Sequence, residues 1–268
     1  MDQTLFALAA LAYLAASARA LYALGQRRLE GGWISPALIG LAFLLQTWGL
    51  FVRADQTGVC PVTNAFEILT FISWSVALNY LVLGTLFRVS LLGALTAPLA
   101  GALALIGLIF PGLDQTRSLP PMTFALEMHI GLSLIAYGTL GLGAIAATVF
   151  LVVNRMLKSR TEPDRLEPVP PVGALDRVCW RVAMLGWLVF TAGLGFGFLV
   201  PEPAIIDQPK LYWSALIWAA YGFILTSRWL AKLGPTRFAW ASLGLFLFML
   251  LTFWGISQAG RPHEIFLP

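Results

Sequence analysis

The fifth long apolar run of the chain, FALEMHIGLSLIAYGTLGLGAIAATVFLVV at residues 124–153, decides the fold class. It is longer than the roughly 20 apolar residues that an α-helix needs to cross a bilayer. The run also carries His129, one of only two histidines in 268 residues. It therefore predicts a membrane-spanning helix, and an ionisable side chain inside such a helix is by default a hypothesis about function.

The composition of the whole chain agrees with a membrane protein. Hydrophobic residues make up 59% and charged residues 11%, whereas a soluble domain is about half apolar and about a quarter charged. A helix satisfies its own backbone in lipid, so the spans are expected to be helical. We predict an all-α, polytopic membrane bundle of about eight transmembrane helices, forming one domain over residues 1–268. The apolar runs lie at approximately 4–24, 33–53, 66–87, 90–110, 124–153, 178–200, 211–231 and 237–257.

The distribution of basic residues predicts the orientation. With the N-terminus outside, the connections on the inside hold twelve Lys and Arg and the outside segments hold four. The positive-inside rule therefore places both termini on the outer side. The first four residues, MDQT, contain no basic residue, so the first run is predicted to be a span rather than a cleaved signal peptide. The long inside loop, residues 158–177, is interpreted as a solvated tether or a partner surface.

Several classes of site are disfavoured by the sequence. The scattered basic residues and the net charge of +4 argue against nucleic-acid binding. Cys60 and Cys179 are predicted near opposite membrane faces and cannot pair, and there is no Cys-x-x-Cys motif. GLGFGF at residues 193–198 has no strand before it, so it is not a dinucleotide fingerprint. Its glycines are predicted to permit close helix packing instead.

The two histidines are predicted to lie on the same membrane face. His129 stands about one turn into the fifth span from its outer end, and His263 follows the eighth span. Two imidazoles on one face suit bis-histidine ligation of haem iron, with walls supplied by the 13% aromatic residues. Zinc would usually need a third protein ligand, either Glu264 or Glu127, although helical spacing turns Glu127 away from the His129 face.

A purely structural interpretation of His129 stays open at this point. His129, Ser133 and Tyr137 follow one another at intervals of four residues and form a single helical stripe. Such a stripe can serve interhelical hydrogen bonding and nothing more.

The segment CPVTNAFEILTFISW, residues 60–74, predicts the start of a helix. Asn64 has the residue type and position of an N-cap. Glu67 then falls in the first turn, where the helix dipole favours a carboxylate. Capping is a sufficient explanation of both residues, and the alternative is that they shape a pocket on the outer face.

Four segments resemble the cytochrome c assembly family of polytopic membrane proteins, which includes the CcsA, CcmC and HemX branches. They follow the family's order over residues 60–263, so the resemblance covers most of the chain. Each motif alone is weak, but their order and spacing together are fairly specific. The segments are PVTNAFEILTFISW, HIGLSLIAYG, DQPKLYWSALIWAAYGFILTSRW and TFWGISQAGRPH.

The resemblance implies that His129 and His263 ligate a non-covalent, b-type haem. The chain departs from the haem-presenting members in two places. The loop before its Asp-Gln-Pro-Lys segment, VPEPAII, has no tryptophan, and Thr226 stands in the span where those members carry a histidine. The chain therefore resembles the HemX-like branch most, and haem binding is expected rather than haem delivery.

The function predicted from the sequence is haem binding or handling in cytochrome c maturation or a related haem process. The expected location is the bacterial inner membrane, with haem, membrane lipid and other maturation proteins as partners. No residue is a convincing nucleophile or general base, so no catalytic residue is predicted. The alternatives are a regulatory or scaffold membrane protein and, less favoured, a small-solute transporter. A transporter would be expected to have paired broken helices, and Pro98 is one candidate break.

Overall fold

The computed structural model describes residues 2–25, 33–87, 90–110, 112, 114, 122–159, 171–200 and 208–259. These residues form eight α-helices and no strand. Six helices are long and apolar enough to cross a bilayer, namely α1, α2, α3, α5, α6 and α8, and α4 contains a shorter apolar stretch, Thr96–Ile109. The chain is thus a multi-pass membrane protein. The helices are α1 (Asp2–Gly25), α2 (Ile34–Thr57), α3 (Ala65–Phe87), α4 (Ser90–Ile109), α5 (Phe124–Ser159), α6 (Val172–Phe198), α7 (Gln208–Trp229) and α8 (Pro235–Ala259).

The predicted apolar runs and the observed helices agree closely, with two informative differences. Helices α5 and α6 both extend into the predicted loop. Residues 160–170 of that loop lie outside the described part of the chain. At about 1.5 Å per residue, α5 is about 54 Å long and exceeds the hydrocarbon core. Pro98 lies inside α4, which continues across it, so the suggested break in the fourth span is wrong.

Contacts between helix ends show that the helices alternate in direction. Arg53, near the end of α2, reaches Asp2 at the start of α1 and Glu67 at the start of α3. At the start of α5, His129 meets the end of α6. We call this end of the bundle the His129 end. The opposite end, where Arg228 at the end of α7 bonds Asp176 at the start of α6, is the Arg228 end.

Each half of the bundle has its own hydrophobic core. Buried residues of α1–α4, among them Tyr13, Ile39 and Val76, form one cluster. The larger cluster lies among α5–α8 and is joined by Leu83 of α3. Polar contacts between α3 and α5 connect the halves. Ser75 Oγ donates to the carbonyl of Leu134 at 3.2 Å, and Thr139 Oγ1 donates to Asn79 Oδ1 at 3.0 Å.

Small residues allow α5 and α6 to pack at close range. A Cβ atom on Gly186 would lie 2.7 Å from the Leu140 side chain, and one on Gly143 would lie 3.7 Å from the Ala183 backbone nitrogen. Lipid tails are as apolar as leucine, so helix association in a membrane depends on such close packing rather than on the hydrophobic effect. The α5–α6 contact therefore supplies a rigid seam, and that seam carries His129.

Candidate functional site

His129 is held at the α5–α6 seam by a hydrogen bond to the backbone. Its Nδ1 lies 2.8 Å from the carbonyl oxygen of Gly193. A carbonyl oxygen only accepts, so Nδ1 carries the proton and donates it. No residue in the described ranges hydrogen-bonds Nε2. In the neutral ring that nitrogen keeps a lone pair, so it can accept a proton or ligate a metal.

Two glycines of α6 make this close approach possible. A Cβ atom on Gly197 would lie 2.8 Å from His129 Nδ1, and one on Gly193 would lie 3.1 Å from Ser133 Oγ. Gly195, between them, faces open space. His129 lies four residues before Ser133 on α5, and Gly197 lies four residues after Gly193 on α6. This matched spacing is expected for two antiparallel helices in contact. The prediction that the glycines of GLGFGF permit helix packing is confirmed for these two positions.

The predicted stripe of His129, Ser133 and Tyr137 is only partly a hydrogen-bonding stripe. Ser133 Oγ is buried and has no hydrogen-bond partner in the described ranges. Tyr137 is buried in the core of the second half. His129 makes an interhelical hydrogen bond of the kind that the structural interpretation required, yet it leaves one ring nitrogen uncommitted.

Aromatic side chains lie at the same end of α5 and α6 as the histidine. The rings of Phe124, at the start of α5, and Phe196, on α6, meet edge to face with centroids 6.3 Å apart. Phe198 and Leu199 at the end of α6 are 75% and 67% exposed. An apolar surface of this kind at the same end of the seam as an imidazole suits the face of a planar, largely apolar ligand.

A second polar cluster at the His129 end surrounds the buried Arg53 guanidinium. Its Nη1 and Nη2 donate to both carboxylate oxygens of Asp114 at 2.9 and 2.7 Å, and Nε donates to Asp2 at 3.1 Å. Glu67 Oε1 lies 3.4 Å from Nη1. The cluster therefore ties together α1, α2, α3 and the segment that follows α4. We call these four residues the Arg53 cluster.

The predicted cap of α3 is confirmed and belongs to the same network. Asn64 Oδ1 accepts the backbone N–H of Glu67 at 2.8 Å, and Asn64 Nδ2 donates to Asp114 at 3.2 Å. Glu67 Oε2 accepts from the backbone N–H and hydroxyl of Thr63 at 2.6 and 2.8 Å. Nearly every polar atom of Asn64 and Glu67 is thus used to fix the start of α3. Sequence reasoning missed Arg53, Asp2 and Asp114, whose only signal was their position at the ends of apolar runs.

Cys60 lies within electrostatic range of Glu67 in the Arg53 cluster and of Glu127 on α5. Burial raises the pKa of its thiol to about 11, and the negative charges of Glu127 and Glu67 contribute to that increase. Glu127 thus acts electrostatically on the α2–α3 loop. Both cysteines are free, as expected.

The structure does not place every predicted ligand. His263 and Glu264 lie outside the described residues. Within the described ranges, no group of three His, Cys, Asp or Glu side chains could hold a metal ion. Of the predicted site residues, His129 and Ser133 lie together at the seam, against two α6 glycines. Glu67 belongs to the Arg53 cluster, and Asn64 bonds Asp114 of the same cluster.

Comparison with known proteins gives one matching family model and several relatives. The model, described as cytochrome C assembly protein, matches residues 62–257. Protein HemX of Brevibacillus brevis is 25% identical over 227 residues, which cover 83% of this chain and 84% of the relative. Cytochrome c biogenesis protein CcsA of Chlamydomonas reinhardtii is 28% identical over 206 residues, covering 71% of this chain and 56% of the relative. CcsA of Synechococcus sp. (strain CC9902) is 27% identical over 222 residues, covering 71% and 72%. The match thus spans little more than half of the algal relative's length.

Proposed function

The chain belongs to the cytochrome c assembly family, and from that premise we propose that it binds haem between His129 and His263 in cytochrome c biogenesis. Membership of the family supports a role in cytochrome c biogenesis. The residues that hold the haem, its non-covalent b-type attachment and the bacterial inner membrane as its location are our proposals.

One observation carries the proposal: His129 donates Nδ1–H to the Gly193 carbonyl at 2.8 Å. Histidines that ligate metals almost always donate their other ring N–H to a carbonyl or carboxylate, which fixes the tautomer and the ring orientation. The seam would therefore hold Nε2 in position to ligate the haem iron. Phe124, Phe196 and Phe198 offer apolar contacts for the porphyrin. When bound, haem would supply an iron atom for the two imidazoles to hold and a one-electron redox couple.

The alternation of the helices supports His263 as the second ligand. Helix α8 starts at the Arg228 end, where Asn154 of α5 bonds Thr236 at 3.3 Å, and it packs along α5. Its last residue, Ala259, is therefore directed toward the His129 end. His263 follows four residues later, so the chain can carry it no more than about 14 Å from the helix end.

Titration of the purified full-length protein with ferric haem tests this proposal. The wild type should give the absorbance spectrum of six-coordinate, low-spin haem. His129→Ala and His263→Ala should each weaken binding about tenfold or more and leave five-coordinate haem. Added imidazole should restore the low-spin spectrum of His129→Ala, which a merely structural role would not allow. Thr252→Ala is the control, because the Thr252 hydroxyl bonds only within α8. Unchanged spectra in both histidine variants would refute bis-histidine ligation.

A further inference from the structure

The two halves of the bundle have the same arrangement of helices. In the first half α1 packs against α2 and α4, and α3 packs against the same two helices. In the second half α5 packs against α6 and α8, and α7 packs against the same two helices. Helices α1 and α5 also begin at the same end of the bundle, the His129 end. The chain therefore contains one four-helix arrangement twice.

A trio of side chains joins α2 to α3 in the first half. The indole Nε1 of Trp74 donates to Thr47 Oγ1 at 2.8 Å, and Thr47 Oγ1 donates to the carbonyl of Phe43, four residues earlier, at 2.7 Å. The rings of Phe43 and Trp74 stack with their centroids 5.3 Å apart and an interplanar angle of 22°. Thr47 and Trp74 are 27 residues apart in the sequence.

The same trio joins α6 to α7 in the second half. The indole Nε1 of Trp218 donates to Thr191 Oγ1 at 2.8 Å, and Thr191 Oγ1 donates to the carbonyl of Trp187, four residues earlier, at 2.8 Å. The rings of Trp187 and Trp218 stack with their centroids 5.5 Å apart and an interplanar angle of 21°. Thr191 and Trp218 are again 27 residues apart. These equal spacings align α6 with α2 and α7 with α3.

Two glycines agree with this alignment, since each stands two residues after the threonine of its trio. A Cβ atom on Gly49 of α2 would lie 2.7 Å from the ring of Phe6, and one on Gly193 of α6 would lie 3.1 Å from Ser133 Oγ. Phe6 of α1 therefore corresponds to Ser133 of α5.

One turn beyond these glycines the two halves carry different residues. Arg53 stands four residues after the α2 glycine and donates to Asp2 of α1 at 3.1 Å. Gly197 stands four residues after the α6 glycine and lies against the ring of His129. Asp2 and His129 are themselves equivalent, because each precedes the side chain on the glycine by four residues. The two pairs thus occupy the same place in the two halves.

We propose that Gly197 is a specificity-determining residue, because the side chain at this place decides whether a half seals itself or takes a ligand. In the first half the planar guanidinium of Arg53 fills the place, where Asp2 and both carboxylate oxygens of Asp114 hold it. In the second half glycine supplies no side chain, and His129 presents Nε2 to a ligand from outside. The identity of that ligand rests on the proposed function, whereas the equivalence of the two places does not.

A double-mutant cycle tests the equivalence by transferring the first-half pair to the second half. Gly197→Arg and His129→Asp should each lower the thermal unfolding temperature of the full-length protein in detergent, because each leaves one charge of the pair without its partner. His129→Asp/Gly197→Arg restores the pair, so at least half of the summed loss should be recovered. His129→Asp/Gly195→Arg is the matched control. Its arginine enters open space, so its losses should add. Additive losses in both double variants would overturn the proposal.

Opening the first half tests the proposal from the other side, with the free guanidinium ion as the probe. Arg53→Gly leaves Asp2, Glu67 and Asp114 around an empty place, so millimolar guanidinium chloride should raise its unfolding temperature. The wild type should show no rise, because its own side chain fills the place. Sodium chloride and urea at equal concentrations are the controls for ionic strength and for a neutral planar molecule.

The outcomes separate this proposal from haem binding. An equal rise with sodium chloride, no rise with guanidinium, or an Arg53→Gly protein that stays unfolded in guanidinium would each show that the arginine does not fill a ligand site. A wild-type protein that binds no haem would refute the proposed function and would leave the results of both tests unchanged.

Discussion

The Arg53 cluster and the α5–α6 seam lie at the same end of the bundle, yet they use their polar atoms differently. In the cluster one guanidinium meets three carboxylates, and Asn64 and Thr63 occupy further oxygen atoms. In the seam His129 makes a single hydrogen bond, and Ser133 Oγ makes none in the described ranges. This network, in which Glu67 Oε1 has the ion pair with Arg53 but no hydrogen bond, holds helix ends together, whereas a ring nitrogen that is oriented but uncommitted can bind a ligand. The difference favours a structural role for the first region and supports the proposal that the second binds a ligand.

The largest expected effect comes from breaking the Arg53 cluster. Arg53→Met should destabilise the detergent-solubilised protein by about 3–5 kcal/mol, because removing one partner leaves buried carboxylates without compensation. Thermal unfolding monitored by circular dichroism measures this. Arg19→Met, which removes an exposed arginine of α1, is the control and should have little effect.

A combined variant sharpens the interpretation of Arg53. Adding Asp114→Asn and Glu67→Gln to Arg53→Met should recover part of the lost stability, since the uncompensated charges are then gone. If Arg53→Met unfolds at the wild-type temperature, the cluster does not hold the helix ends together.

A smaller effect should follow from filling the space beside His129. Gly197→Ala places a Cβ 2.8 Å from His129 Nδ1, so the ring must move and its bond to Gly193 weakens. We expect a loss of about 1–3 kcal/mol in stability, together with weaker haem binding in the titration described above. Gly195→Ala introduces the same methyl group into open space and should be neutral or slightly stabilising. If the two variants have the same stability and haem affinity, the space at Gly197 is not needed to hold the His129 ring.

The smallest expected effect concerns Cys60, whose thiol lies within electrostatic range of Glu67 in the Arg53 cluster and of Glu127 on α5. With its pKa raised to about 11 from an ordinary value of 9.0, the thiol should be alkylated slowly at pH 8, because the thiolate is the reactive form. Negative charge disfavours the thiolate, so Glu127→Gln should lower the pKa and speed alkylation by iodoacetamide.

The pH dependence of alkylation is measured in a Cys179→Ala background. Asp55→Asn, which neutralises an exposed carboxylate of α2, is the control and should leave the rate unchanged. A midpoint near pH 9 in the protein with Glu127 intact would show that Cys60 is not in the buried, acidic surroundings described here.

The predictable features are those that depend on neighbours in sequence. The eight helices follow from runs of apolar residues, and Asn64 was identified as a cap because a cap bonds residues within one turn. The end of α5 was placed too early and the start of α6 too late, because hydropathy marks where a helix leaves or enters the membrane. It does not mark where the helix ends, and the backbone continues helical through charged residues to Ser159.

The sequence by itself determined an all-helical, multi-pass membrane protein, the order of its spans and the position of His129 near the end of one of them. Only the tertiary structure decided the partners. Arg53 counted in the sequence as one positive charge outside, but in the fold Asp2, Glu67 and Asp114 surround it. The register of α5 against α6 likewise decided that Gly193 and Gly197, but not Gly195, meet the histidine stripe. The apolar character of a run and the capping of a helix depend on a few neighbouring residues. Ion pairs and contacts between helices join residues that are more than 60 positions apart in the sequence.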